Sequence, residues 1–257
     1  MSAHRLVSLT THTSIYRDGT YLNNNPTWHS EDAVWKAHQV MKILARHKSS
    51  APRTICEVGC GAGQVLVELQ RRLPSQTSFF GYDISPDAFN LCLPKTNKSL
   101  RFNLEDLSSA KVEQFDLLLV LDVLEHVEDY LGFLHSMRNK ARCVLFQIPL
   151  DLTVHSLLRG VLTHNRQVFG HLHHFTKDTA LATLRDCGYR VLDWSYTPAV
   201  VDFARPGIKC AISTAVRRIG FRLAPDKSVL ILGGYSLMVL TEDGRRQVSG
   251  RRKDCAQ

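Results

Sequence analysis

One stretch limits the folds open to this 257-residue chain more than any other, Thr54 to Ser85. A short apolar run, Thr54-Ile55-Cys56-Glu57-Val58, breaks into the glycine loop Gly59-Cys60-Gly61-Ala62-Gly63. A helical pattern follows from Gln64 to Leu73, and a second apolar run ends at Asp83. Strand, tight glycine turn, helix and a second strand closing on a carboxylate are what a nucleotide or nucleoside site at the edge of a parallel sheet requires. The glycines let the backbone turn sharply and approach a ligand, and the helix that follows offers unpaired amides.

The remainder of the chain continues that alternation. The pattern predicts strands at 54–58, 78–83, 99–102, 116–121, 143–148 and 189–196, and helices at 63–73, 86–92, 130–140 and 176–187. This is the spacing of right-handed crossovers in a doubly wound sheet. Residues 1–27 show little periodicity, and Asp18-Gly19 and Asn23-Asn24-Asn25-Pro26 read as turns. A helix is expected from Ser30 to about His47, with Val34, His38, Met41, Ile43 and Leu44 available to a buried face, and Ser49 to Arg53 as a linker. Residues 197–227 break the rhythm, with Pro198, Pro206, Gly207 and Pro225 around a candidate helix from Ile208 to Phe221. In that helix Ile208, Ala211, Ile212, Ala215, Val216 and Ile219 form one apolar stripe. The run 229–240, with its glycine pair Gly233-Gly234, reads as the last strand.

Composition excludes more than it selects. With 44% hydrophobic and 22% charged residues the chain is an ordinary globular one, not a disordered or fibrous one. The seven cysteines are odd in number and scattered, without the C-x-x-C spacing of a zinc or redox site, a usage that fits a reducing, cytoplasmic location. No segment reaches about 18 uninterrupted apolar residues, and the N-terminus lacks the core of a signal peptide, so neither a membrane span nor secretion is expected. Half of the net charge of +8 sits between Gly244 and Gln257, where Arg245, Arg246, Arg251, Arg252 and Lys253 face one acid, Asp254. This tail reads as a solvated, disordered extension, with a nucleic-acid or membrane contact as the alternative.

The loop itself departs from a dinucleotide fingerprint. G-x-G-x-x-G would put the third glycine one position later; here Gly63 gives G-x-G-x-G, with Glu57 two residues ahead of the first glycine. A carboxylate there suits a ligand carrying an ammonium or sulfonium charge better than a pyrophosphate. Asp83 closes its strand 20 residues after Gly63, where a carboxylate can accept two hydroxyl hydrogen bonds.

In these residues, with Gly81-Tyr82-Asp83-Ile84-Ser85 and Phe115-Asp116-Leu117-Leu118-Leu119-Val120-Leu121-Asp122-Val123-Leu124-Glu125-His126-Val127, the chain resembles the class I S-adenosylmethionine-dependent methyltransferases, with a core similar to the type 11/12 and ubiquinone-pathway O-methyltransferases. The resemblance covers about residues 53–196 and extends to the last strand. It implies an α/β fold with a doubly wound, mostly parallel seven-stranded sheet, an antiparallel last strand and helices on both faces. It further implies an N-terminal arm and helix (1–52) as a lid, a core at 53–241 with a substrate insert at 197–227, and a tail at 242–257. Glu57 would neighbour the methionine end of S-adenosylmethionine, with Gly59, Gly61 and Gly63 lining the cofactor. Asp83 with Ile84 would hold the ribose, Asp106 with Leu107 would meet the adenine, and Leu121 with Asp122 would lie beneath the cofactor.

Methyl transfer from a sulfonium needs alignment and exclusion of water, and a base only where the acceptor holds its proton tightly. Candidate groups follow the fourth and fifth strands: Asp122, Glu125 and His126, then His171, His173 and His174, of which His171 and His174 are favoured. His126 has three readings: a structural turn, a general base, or a ligand of a divalent ion shared with Asp122 or Glu125 and His171. The last is similar to the small-RNA 3'-terminal 2'-O-methyltransferases. His29 is either a base or a helix cap, and Tyr16, Tyr21 and Trp28 either line the acceptor pocket or pack the arm. The insert permits a lid over an anionic or partly apolar acceptor, a dimer contact or an interfacial helix.

The leading expectation is a methyltransferase acting on an oxygen, or less favourably a nitrogen, of a small molecule, as a monomer or homodimer, without a metal. The alternatives are an RNA 2'-O-methyltransferase holding a divalent metal and a non-catalytic S-adenosylmethionine-binding regulator. Nucleic acid is the weaker partner, since no aromatic-basic interleaving marks an RNA module.

Overall fold

The structure is a computed structural model that describes residues 16–47, 51–203 and 207–245. Seven strands form one sheet: β1 (Thr54–Val58), β2 (Ser78–Asp83), β3 (Leu100–Leu104), β4 (Phe115–Leu121), β5 (Ala141–Pro149), β6 (Tyr189–Thr197) and β7 (Ser236–Asp243). Their spatial order is β3-β2-β1-β4-β5-β7-β6; β1 to β5 are parallel, and β7 runs antiparallel between β5 and β6. The fold class is therefore the doubly wound one with an antiparallel last strand. Eleven helices accompany it among the described residues: α1 (Thr20–Asn24), α2 (Ala33–Arg46), α3 (Gln64–Gln70), α4 (Pro86–Cys92), α5 (Tyr130–Met137), α6 (Val154–Leu158), α7 (Val161–Val168), α8 (Lys177–Asp186), α9 (Ala199–Asp202), α10 (Ile208–Leu223) and α11 (Pro225–Leu232).

The continuous apolar run of β4 follows from burial on both faces. Leu118 and Val120 join Val144, Phe146 and Val239 in one core, beneath Leu134, Met137, Leu181 and Leu184 of α5 and α8. Leu117, Leu119 and Leu121 join Leu145 and Met238 in the other, beneath α2 and α3. Successive side chains point to opposite faces, so a strand covered on both sides needs apolar residues at every position.

Several expectations are corrected. The run 229–240 is two elements: Pro225 opens α11, and Gly233 and Gly234, at φ 63° and 87°, end it before β7 begins at Ser236. Pro at the first helical position and glycines in the left-handed region form a start and a stop that outweigh the apolar content of Val229–Leu232. Part of the turn expected at Asn23-Asn24 belongs to α1. A 3-10 turn at Ser30–Asp32 precedes α2, whose buried residues are Ala33, Ala37, Gln39, Val40 and Ile43. Val34 and His38 face solvent. Small Ala33 and Ala37 let this helix approach α3 and the sheet closely, so packing distance rather than side-chain size sets the face. Short α6 and α7 fall where no periodicity marks them; Thr153 caps α6 by accepting the Ser156 amide at 3.1 Å. Residues 1–15 of the arm, most of the basic tail (246–257), Pro206, and Lys48 with the start of the linker (49–50) lie outside the described residues.

Candidate active site

The parallel strands end on one side of the sheet, and β1 and β4 are adjacent although β2 and β3 follow β1 in the chain. Crossovers therefore diverge between β1 and β4, leaving a crevice at their C-terminal ends. A cavity of about 370 Å³ lies there, against the glycine loop, the end of β4, the start of α2 and the histidine segment.

The loop is fixed by its own backbone. The Gly59 and Cys60 amides both donate to the Tyr82 carbonyl, at 2.8 and 3.1 Å, and the Gly61 amide donates to Asp83 Oδ2 at 2.8 Å. Gly61 has φ +53°, and a Cβ there would stand 2.5 Å from Trp28 Cδ1, so only glycine leaves room for the indole. Glu57 is buried at the cavity wall, its Oε2 has no hydrogen-bond partner, and burial pushes its carboxyl up to about 8, against the pull of Lys36.

At the end of β4, Asp122 is held at φ +53°, an uncommon conformation for a non-glycine residue. Its amide donates to the Gln147 carbonyl, its carboxylate accepts both contacts of Gln147 Nε2 (3.2 and 3.0 Å), and Lys36 Nζ stands 2.8 Å from Oδ2. Burial would lower the Lys36 ammonium, but Asp122, Asp32 and Glu57 together outweigh it and hold it above its usual value. A positively charged group thus enters a cavity walled by carboxylates.

A second group of polar side chains comes from the turn after β4 and the segment after α7. The Leu172 and His173 amides donate to the Glu125 carbonyl, tying the two segments together. His126 Nδ1 meets the Gly170 carbonyl at 3.2 Å. A carbonyl only accepts, so Nδ1 carries the proton and the neutral ring has its lone pair on Nε2. His171 Nδ1 meets Asp151 Oδ2 at 2.6 Å, which sets the same tautomer. Burial works against ionising Asp151, yet bonds from His171 and Asn165 hold its carboxyl below the usual range. Glu125 is wholly buried, neither carboxylate oxygen has a hydrogen-bond partner, and burial with neighbouring Asp122 and Asp151 pushes it well above the usual carboxylate range. Ligand atoms of Glu125, His126 and His171 lie within 4.8 Å of one another; Asp122, committed to Lys36, is not among them.

The arm covers this region with rings. Tyr16 packs on Tyr21 and Tyr21 on Trp28, each with centroids 4.9 Å apart, and Tyr16 also meets His126 edge-on at 6.1 Å. Trp28 and His29 sit consecutively in the left-handed region at φ 48° and 56°. His29 packs against Phe169, and burial with the Lys36 charge lowers its pKa.

Of the residues expected at a cofactor, Glu57, Gly59, Gly61, Leu121 and Asp122 line the cavity, as do Tyr21, Trp28, His29, Glu125, His126 and His171. Others do not. Gly63 makes the turn into α3, and Ile84 is half-buried beyond β2. Asp83 is buried; its oxygens accept the Gly61 and Ser85 amides, and burial raises it to about 6 against those bonds. Asp106 is exposed and accepts the Ser108 amide in a turn, while Leu107 is fully buried in the core. Tyr16 stands over His126, and His174 lies behind His171, 3.8 Å from Asp151. Lys36, Gln147, Asp151, Asn165 and Phe169 were not expected; only Asp151 had a sequence signal, an acid just past a strand's C-terminal end.

Residues 28–193 match the family described as a methyltransferase domain. No curated protein matches the sequence. Among solved structures, the N-methyltransferase NodS from Bradyrhizobium japonicum WM9, in complex with S-adenosyl-L-homocysteine, has 16% identity and a TM-score of 0.58 over 90% of this chain and 98% of that one. Magnesium protoporphyrin IX methyltransferase (ChlM) from Synechocystis PCC 6803, with bound SAM, has 14% identity and a TM-score of 0.56 over 93% and 99%. The [4+2]-cyclase SpnF has 13% identity and a TM-score of 0.57 over 80% of each chain. Such identities speak for the fold, and a cyclase among them shows that the fold does not name the acceptor chemistry. The match over most of the chain, on this strand order and glycine loop, identifies the protein as a member of the methyltransferase domain family, with the Rossmann-like fold of the class I S-adenosylmethionine-dependent enzymes.

Proposed function

We propose that the protein transfers a methyl group from S-adenosylmethionine to a hydroxyl oxygen of a small molecule, with His171, oriented by Asp151, taking the acceptor's proton. The carrying observation is the His171–Asp151 contact of 2.6 Å at the cavity wall. Asp151 orients the ring and stabilises the imidazolium that forms, as the acid of a His–Asp pair does in other enzymes.

The residues fit the cofactor. Glu57 has a buried, unpartnered oxygen where an ammonium would satisfy it, and the loop beside it has no room for a Cβ at Gly59 or Gly61. When bound, S-adenosylmethionine supplies a methyl group on positively charged sulfur, a leaving group that needs no further activation. Asp83 is proposed for the ribose, since a carboxylate offers about four lone pairs and the backbone amides it accepts from the loop and its own turn leave capacity for a hydroxyl. The arm with Tyr16, Tyr21 and Trp28 is proposed as the lid that excludes water. Trp28, Trp35, Phe169 and Phe203 suit an acceptor that is partly apolar. The acid-then-Glu-His order after β4 supports kinship with the ubiquinone-pathway O-methyltransferases. Six free cysteines among the described residues agree with a cytoplasmic location.

One observation favours a second reading of the same transfer. Glu125, buried without a hydrogen-bond partner beside His126 and His171, would hold a divalent ion with them, and such an ion lowers the pKa of a hydroxyl bound to it. The test is an acceptor screen that includes hydroxylated aromatic acids and a 3'-terminal RNA, each with and without chelator. His171→Ala and Asp151→Asn are expected to lower kcat by about 10²–10⁴-fold and move the acidic limb of the pH profile, where a general base is lost to protonation. Activity that survives both substitutions refutes the base; activity abolished by chelator selects the metal; methylation of the RNA alone replaces the small molecule.

A further inference from the structure

Helix α10 turns its apolar side away from the protein. Arg217 donates to the Gly233 and Leu232 carbonyls at 3.1 and 3.0 Å, Gly220 lies against Ser228 of α11, and Phe221 stacks on Tyr235 with centroids 5.0 Å apart. At about 100° per residue these three positions form the side that faces the body. The stripe of Ile208, Ile212, Ala215, Val216 and Ile219, continued by Leu223, lies on the opposite side. None of the helix's 16 residues is buried, and Ile208 and Leu223 are each 81% exposed. The neighbouring helices carry exposed apolar side chains of their own, Leu230 and Ile231 on α11, which packs on α10, and Leu157 and Leu158 on α6, which packs on α11. A helix that serves only a protein core buries such a stripe, and one left exposed along about four turns marks an interaction surface.

Charge chooses the partner. Lys209, Arg218 and Arg222 flank the stripe, and α10 contains no acidic residue. The nearby acids of the flanking elements are engaged elsewhere, Asp226 with Lys177 and Tyr196, and Asp202 with Trp35. A second copy docked through a two-fold axis would set these basic residues against their own images with no acid to offset them. Apolar side chains with a basic border match the boundary between acyl chains and anionic headgroups. No helix among the described residues is long and apolar enough to cross a membrane, and lying on one requires none.

We propose that the apolar face of α10, with its basic border, docks the protein in plane on a bilayer bearing anionic lipids. This inference is independent of the proposed acceptor and its base. The full chain is to be floated with vesicles of equal parts phosphatidylglycerol and phosphatidylcholine, and with phosphatidylcholine alone. It is expected to partition onto the first and far less onto the second, with affinity falling as salt rises. Arg218→Ser with Arg222→Ser should weaken partitioning on the order of 30-fold, from two lost lipid-facing charges. Ile212→Ser with Ile219→Ser, judged folded by an unchanged circular dichroism melt, should abolish it while leaving all charges in place. Absence of binding to the anionic vesicles overturns the proposal. So does binding that survives the isoleucine substitutions, which would assign it to the basic C-terminal segment. A dimer in sedimentation velocity that those substitutions dissolve would assign the face to a second copy and likewise overturn it.

Discussion

Glu57→Gln should make the free protein more stable as pH rises while weakening its hold on the cofactor. The folded carboxyl titrates at about 8 against a reference of 4.5, chiefly because it is buried. Below the reference value both folded and unfolded chains carry the proton, and no difference arises. Between the two values the unfolded chain ionises while the folded one does not, so stability is lost as pH rises, and the loss is complete only above the folded value. At 1.36 kcal/mol per unit, the gap accumulated between pH 5 and pH 8 is about 3 kcal/mol. Glutamine has the same shape and does not ionise; whatever it costs in hydrogen bonding is independent of pH. Urea unfolding of both proteins at pH 5 and pH 8 should therefore show the variant gaining on the parent by about 3 kcal/mol across that interval. Saturating S-adenosylmethionine should reverse the order at pH 8, because a cationic partner lets Glu57 ionise in place. A stability difference that stays flat between the two pH values refutes the buried, protonated carboxyl, and equal stabilisation of both proteins by the cofactor refutes its role beside the ammonium.

Two further outcomes follow from the same wall of the cavity. Lys36→Met leaves Asp122, whose side chain is 25% exposed, facing Gln147 alone; unfolding stability at pH 7 should fall by about 1–3 kcal/mol, and a smaller loss than about 0.5 kcal/mol would show that the pair is solvated. Gly61→Ala forces a Cβ toward Trp28 in a left-handed conformation, so a loss of about 1–3 kcal/mol is expected with weaker cofactor binding; unchanged melting would show that the indole does not rest on the loop in solution.

The legible part of the fold was the part written as local pattern. β4 is apolar at consecutive positions because two layers of helices bury it, and that signature survives in the linear sequence. The face of α2 was legible over its second half, where Met41, Ile43 and Leu44 pack as expected, but not at its start, where Ala33 and Ala37 sit inward for closeness and the larger Val34 and His38 face solvent. The run before β7 misled because buried strand and short helix share composition, and only the backbone angles at Gly233 and Gly234 separate them. At the site, Glu57, Asp122, His126 and His171 could be named because motif and position at strand ends marked them. Lys36 could not, since it reaches Asp122 from a helix outside the strand-turn-helix unit.

The sequence alone determined the sheet, its crevice and the kind of ligand the glycine loop admits, since those depend on turns, periods and one strand-end acid. It also determined that α10 has an apolar stripe and a basic border. Only the tertiary structure decided which way that stripe points, that Asp151 holds His171, and that Lys36 neutralises Asp122 beside a protonated Glu57. Periodicity fixes what shares a face of one element, whereas the partner of that face, and the charge state of a group buried beneath it, depend on residues brought there from elsewhere in the chain.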